Sequence, residues 1–223
     1  MRSTRRAAAL AAIALSTLVV AACGSSGGED SKNANQILTD AQAALKSATS
    51  YHLVADVTSG GKTTKVDVKV DNKTTSSGHI EQDGVAFDYI SAGGKIYIRG
   101  KELFAKFSQA AANLIGDQWV TASGNAGLEQ AAAGVAAFSD PSQLADQLTT
   151  KGSLIKGDTK TVNGQQVVAL KASDGELDVA DSGTPYPVHL EGPSVGKIDL
   201  SEYGAHFGIA APSNPLDAST LGQ

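Results

Sequence analysis

The chain has a single cysteine in 223 residues, Cys23. That excludes an intramolecular disulfide and any cysteine-built metal cluster. Arginine is almost as scarce. Beyond residue 22 the only one is Arg99. Without the three arginines of the first six residues, 15 basic residues face 23 acidic ones, a net charge of −8. Such a chain lacks the basic patch that nucleic-acid binding needs, and it cannot dock to a membrane through a polybasic surface. Aromatic residues make up 5% of the chain, and Trp119 is the only tryptophan. The apolar mass is Val, Leu, Ile and Ala.

Motifs for chemistry are also missing. The four histidines, His52, His79, His189 and His206, form no His-Glu-x-x-His pair. No Gly-x-Ser-x-Gly elbow is present. Gly61-Lys62-Thr63 ends a P-loop-like fragment, but Asp56 stands where its first glycine belongs, and the segment fits a hairpin between strands. Asp67 and Asp71 alternate with Lys65 and Lys69, as on a solvated sheet face. Each histidine reads more simply as a strand or surface residue than as a catalytic base. No catalytic residue, metal ligand or cofactor is assigned.

The first residues carry a different kind of signal. Arg2, Arg5 and Arg6 precede an apolar run from Ala7 to Ala22, 16 residues long and broken only by Ser16 and Thr17. A spanning helix needs about 20 apolar residues, so a cleaved export signal is the stronger reading. Val20-Ala21-Ala22-Cys23 matches the bacterial lipobox: an aliphatic residue, two small ones, then cysteine. The expected mature chain begins at lipidated Cys23, anchored on the extracytoplasmic face of the cell membrane. Each buried methylene contributes about 0.8 kcal/mol, so two or three acyl chains hold where one does not. The Gly/Ser-rich stretch that follows has the composition of a flexible tether.

Beyond the tether, the spacing of Ile37, Leu38, Ala41, Ala44, Leu45 and Ala48 predicts a helix over 35–48. Five strands then follow between Tyr51 and Arg99, separated by turn signals such as Asp83-Gly84 and Gly93-Gly94. Leu103, Phe104, Phe107, Ala110, Ala111, Leu114 and Ile115 lie on one stripe, which predicts a single helix ending at Gly116. Leu128, Ala132, Val135 and Phe138 suggest a second helix, weakened by Gly134. Asp140-Pro141 reads as the cap and first residue of a third. Strands return from residue 152, with Asn163-Gly164 a hairpin signal. The order makes an α+β fold, helices on one side of a large antiparallel sheet. Trp119 reads as a pocket-rim or a core residue, with core the stronger reading.

Four stretches resemble the actinobacterial LppX/LprAFG lipoproteins. They are the lipobox; Ile37 to Val57, where a helix ends in Ser-Ala-Thr-Ser-Tyr-His; Gly94 to Ile98; and Tyr186 to Glu191 leading to Ile198 to Gly204. The resemblance implies a LolA-like fold, a strongly curved antiparallel half-barrel of about ten strands wrapping a few helices. The expected division of the chain, read from its own composition, is signal peptide 1–22, tether 23–34, one domain 35–210 and a loose tail 211–223. The function the resemblance implies is to bind a lipid or acylated glycolipid in an apolar cavity and carry or present it across the cell envelope, without catalysis and as a monomer. Only Cys23 transfers as a site residue, the lipidation site. Phe104, Phe107, Leu114, Val135 and Phe138 are the candidates for lining the cavity, though each serves equally as core. Gly116, Gly124, Gly127 and Gly134 are places where a helix or loop could move to release lipid. Two other readings stay open. One is an envelope partner-binding or sensor module with a packed interior. The other is a hydrolase built on a histidine that meets a nucleophile. The runs Ala110–Ala112 and Ala131–Ala133 either widen a cavity or let helices pack close.

Overall fold

The computed structural model describes residues 28–59, 61–148, 153–193 and 195–218. Residues 1–22 and Cys23 lie outside the described residues, as do the first part of the tether and the chain after 218.

Twelve strands form one curved, unclosed sheet, with five α-helices among the described residues. Helix α1 spans Ala34–Ser47. Asn33 caps it through a reciprocal capping box with Gln36, so two backbone N–H groups left open by the helix start are satisfied. Its apolar stripe buries Ile37, Ala41, Ala44 and Leu45. The sheet is two five-stranded meanders side by side. The first is β1 Tyr51–Ser59, β2 Lys62–Asp71, β3 Thr75–Gln82, β4 Val85–Ala92 and β5 Lys95–Arg99. The helices come next: α2 Lys101–Phe107, α3 Gln109–Ile115, then after the short β6 Val120–Thr121, α4 Ala126–Ser139 and α5 Pro141–Gln147. The second meander is β7 Ile155–Val162, β8 Gln165–Ala172, β9 Gly175–Ala180, β10 Pro187–Gly192 and β11 Gly196–Ser201. It joins the first where β11 pairs antiparallel with β1.

Register follows from the pleat. One row runs Ile98, Tyr89, Gly78, Val68, Leu53 and Leu200 across six strands, all facing the concave side. A side chain at Gly78 would stand 2.8 Å from the Tyr89 ring, 2.9 Å from Val68 and 2.5 Å from the Asp67 carbonyl. Only glycine leaves room for that ring.

Three features differ from the sequence expectations. The stripe from Leu103 to Ile115 is not one helix. Ser108 breaks it with extended backbone (φ −161°, ψ 123°), and its hydroxyl accepts the Ala111 N–H to cap a new helix, α3. A serine gains more by capping a helix start than by sitting inside a helix, so it starts a second one. Twelve strands appear rather than about ten. The two extra, β6 and β12 Leu216–Asp217, are two residues each, too short for any periodicity. β12 pairs parallel to β6 and buries Ala218, so this stretch of the expected loose tail is packed. Residues 28–33, tether by composition, also pack. Glu29 N–H donates to the Asp181 carbonyl, and the Lys156 ammonium donates to the Asp30 and Lys32 carbonyls.

Candidate functional site

The concave face of the first meander is not completely covered. A cleft of about 530 Å³ lies between β1–β4 and the helices α2 and α4. Its floor is two adjacent sheet rows. Val57, Thr64, Gln82 and Val85 form the outer row, and Ile80 and Phe87 belong to the inner one. Leu103 of α2 closes one side. Ala131, Gly134, Val135 and Phe138 of α4 form the roof.

Local sequence explains each wall. Gly100 brings the chain hard against β4, where a Cβ would meet Phe87 at 2.7 Å and the Ala86 carbonyl at 2.8 Å. That approach sets Leu103 beside Phe87. The roof helix is fixed at its C-terminal end by two buried tyrosines. Tyr51 donates to the Phe138 carbonyl at 2.8 Å, and the Tyr89 and Ser139 hydroxyls lie 2.9 Å apart. Burial pushes the Tyr51 phenol well above its ordinary pKa and raises that of Tyr89, so both stay protonated. Asp140 then caps α5, accepting from the Ser142 and Gln143 N–H groups. Burial pushes its carboxyl up, but hydrogen bonds from the Gln143 side chain and the two N–H groups outweigh that and hold it below the usual range. Gly134 sits in open space: a side chain there would meet nothing within 4 Å. Gly134 is exposed, and with Ala131 it lines the cleft without filling it.

The rim is polar. Gln82 donates to the Thr64 hydroxyl at 2.6 Å, Lys62 pairs with Asp83 at 2.5 Å, and Lys106 and Gln130 stand opposite. Of the five residues expected to line a cavity, Val135 and Phe138 do line this cleft. Phe104 is buried in the general core at 3% exposure. Phe107 and Leu114 do not reach the cleft and are 52% and 75% exposed. The break at Ser108 turns Leu114 outward, and Phe107 lies over Gly127 at the start of α4. Sequence reasoning missed the sheet's share, Val57, Ile80, Val85 and Phe87. Their alternation along β1, β3 and β4 carried the signal.

The other hollows differ in kind. A larger one, about 770 Å³, runs between α1 and the 182–185 loop but is lined by Glu29, Lys32, Asp40 and Asp181. Another, about 640 Å³, lies among Asp56, Lys160, Glu176, His189 and Lys197 on the outer face. Three histidines share that convex face. A row crosses it as Arg99, Asp88, His79 and Asp67, then Val54, then Asp199, His189 and Asp178. His79 meets Asp88 at 2.8 Å, His189 meets Asp199 at 2.8 Å, and His52 in the next row meets Asp67 at 2.8 Å. His206 meets Asp71 at 2.7 Å. Among the described residues no cluster of three or more His, Cys, Asp or Glu is placed to hold a metal ion. Trp119 is half-buried at the sheet edge, with the Arg99 guanidinium 4.6 Å over its ring.

Among solved structures, the chain is similar to LprF from Mycobacterium bovis. The two share 16% identity over 84% of this chain and 100% of that one, with a TM-score of 0.58. At that identity the likeness shows the fold: a large curved antiparallel sheet with helices on one side. A chain in the Pseudomonas aeruginosa MucA/MucB complex matches at 16% identity over 80% of this chain and 61% of that one, but its TM-score of 0.32 carries no argument. No family model matches the sequence, and neither does any curated protein.

Proposed function

We propose that the chain is a non-enzymatic envelope lipoprotein, anchored through Cys23 on the extracytoplasmic face of the cell membrane. There it binds a lipid or acylated glycolipid and carries or presents it across the envelope. The observation that carries this reading is the cleft beneath α4. It is apolar along the inner floor row and the roof, polar where Thr64 and Gln82 of the outer row meet the rim, and edged by the exposed Gly134, where a Cβ would meet nothing within 4 Å. A lipid tail needs such a dry slot, since each methylene kept from water contributes about 0.8 kcal/mol. Its volume falls in the usual range of ligand pockets, about 300–1,000 Å³. The lipobox and the LprF-like fold support the same reading.

The test has two parts. Replacing residues 1–23 by a cleavable secretory signal without a lipobox moves the protein from the membrane to the soluble fraction if Cys23 carries the anchor. Native mass spectrometry of that soluble form, purified from its own host, then shows a bound species of lipid mass. A protein that stays at the membrane without Cys23 contradicts the anchor. One that carries no lipid and takes up none contradicts the binding role.

One observation favours a second reading. Phe107 and Leu114 are large, apolar and exposed on α2 and α3. Exposed apolar side chains of this kind suit a protein-docking surface. A protein partner lost on Phe107→Ser with Leu114→Ser, together with an empty cleft, would support it.

A further inference from the structure

Resting on the reading of the cleft as a lipid site, we infer that its ligand has one acyl chain and an anionic headgroup. The chain lies between β1–β4 and α4, and the headgroup meets Lys106.

The size of the cleft sets the number of chains. At roughly 30 Å³ for each methylene- or water-sized group, a volume of about 530 Å³ holds on the order of 18 groups. That is one long acyl chain. The adjoining hollow on the far flank of Val135, about 200 Å³, adds room for only about seven more. A second long chain has nowhere to go without lifting α4, which Tyr51 and Tyr89 hold to the sheet.

The rim sets the headgroup. Its polar groups are Thr64, Gln82, Asp83, Lys106 and Gln130. Thr64 and Gln82 satisfy each other. The charge of Asp83 is matched by Lys62. Lys106 is exposed, and among the described residues no carboxylate lies within ion-pair distance of it. That includes Glu102, one turn earlier on the same helix. Lys106 is therefore the uncompensated charge of the rim. A lysine lays its apolar stem along an apolar wall and holds its ammonium in water. That puts a positive charge where a bound amphiphile leaves the cleft. A phosphate or carboxylate there gains a charge-assisted contact, whereas a choline headgroup brings a second cation to the same place.

The test uses the chain from Gly24 onward, exported under a cleavable signal without a lipobox, so that no covalent lipid competes. A fluorescent fatty acid is displaced by four probes: a monoacylglycerol, a lysophosphatidylglycerol, a lysophosphatidylcholine and a two-chain phosphatidylglycerol. The anionic lysolipid should win over the choline one by about fivefold, the equivalent of one partly screened charge contact. Lys106→Gln should bring the two within about twofold of each other. The two-chain lipid should bind at least about tenfold more weakly than its one-chain counterpart. Equal affinity for the two lysolipids, a preference that survives Lys106→Gln, or tight two-chain binding would overturn the inference. In those cases displacement by monoacylglycerol would leave the lipid-site reading intact. If monoacylglycerol fails as well, the lipid-site reading falls and takes the headgroup inference with it. Gly134→Phe should abolish displacement by all four probes, which places them in this cleft rather than elsewhere.

Discussion

The two meanders are built alike and covered differently. In the second, Val167 to Leu170 of β8 and Leu177 to Ala180 of β9 are all buried at 2% exposure or less. Four consecutive buried residues in a strand mean that both faces are covered. The concave side joins the main core, and the other holds a small cluster of Val167, Ala180 and Val188. This half buries even Asp178, whose carboxyl burial pushes up while the Lys160 ammonium, 2.9 Å away, pulls it back in part. In the first meander, β4 buries only Tyr89 and Ala92, and Val85 to Asp88 stay half-buried. The difference lies in the covering helices. Helix α1 buries Ile37 and Leu45, whereas α4 presents Ala131 and the exposed Gly134 beside Val135 and Phe138 at the cleft. The open site lies where small residues of α4, Ala131 and Gly134, meet the outer sheet row of Val57, Thr64, Gln82 and Val85.

The same substitution in each half should give different costs. Leu170→Ala, in the closed half, should destabilise by about 2–5 kcal/mol, as truncation in a filled core does. Leu103→Ala, at the wall of the cleft, should cost less than about 1.5 kcal/mol, because its side chain already borders open space. Urea unfolding of both variants measures the contrast. Equal costs would mean that the cleft is as well filled as the core. Tyr89→Phe leaves the Ser139 hydroxyl without this partner and should cost about 1 kcal/mol. It should also speed amide exchange in α4 before α1.

Asp140→Ala should cost about 1 kcal/mol at neutral pH through the lost cap. Its folded pKa is lowered, so the stabilisation is complete above the unfolded value of about 3.9 and fades as pH falls through the folded one. The gap between wild type and variant should therefore close in acid, and a gap that persists there would contradict the charged cap. The smallest effect is a gain. Gly134→Ala should add up to about 1 kcal/mol, since the helix prefers alanine and nothing obstructs the methyl group.

Most of the fold was legible because its signals are local. The helical spacing from Ile37 to Ala48, the turn glycines and the strict alternation of Val66, Val68 and Val70 mark their elements without reference to anything distant. The site was half legible. Val135 and Phe138 lie on a helix whose stripe faces the sheet wherever that helix packs. Phe107 and Leu114 misled because a helical stripe has a meaning only if the helix continues, and Ser108 stops it. Whether Ala131 and Gly134 draw the helix close or leave a gap depends on how far the tyrosines hold α4 from the strands. That distance belongs to the assembled fold rather than to any window of sequence. The strands β6 and β12 were hidden for the same reason, since each exists only as a partner to something far along the chain.

The most direct test of the central claim is native mass spectrometry of Gly134→Phe beside the parent, both starting at Gly24 behind a cleavable signal without a lipobox and purified from the same host. The open cleft predicts a lipid-mass adduct on the parent and none on the variant, with the variant at least as stable to urea. An adduct that persists on a folded Gly134→Phe would place the lipid elsewhere and contradict the account.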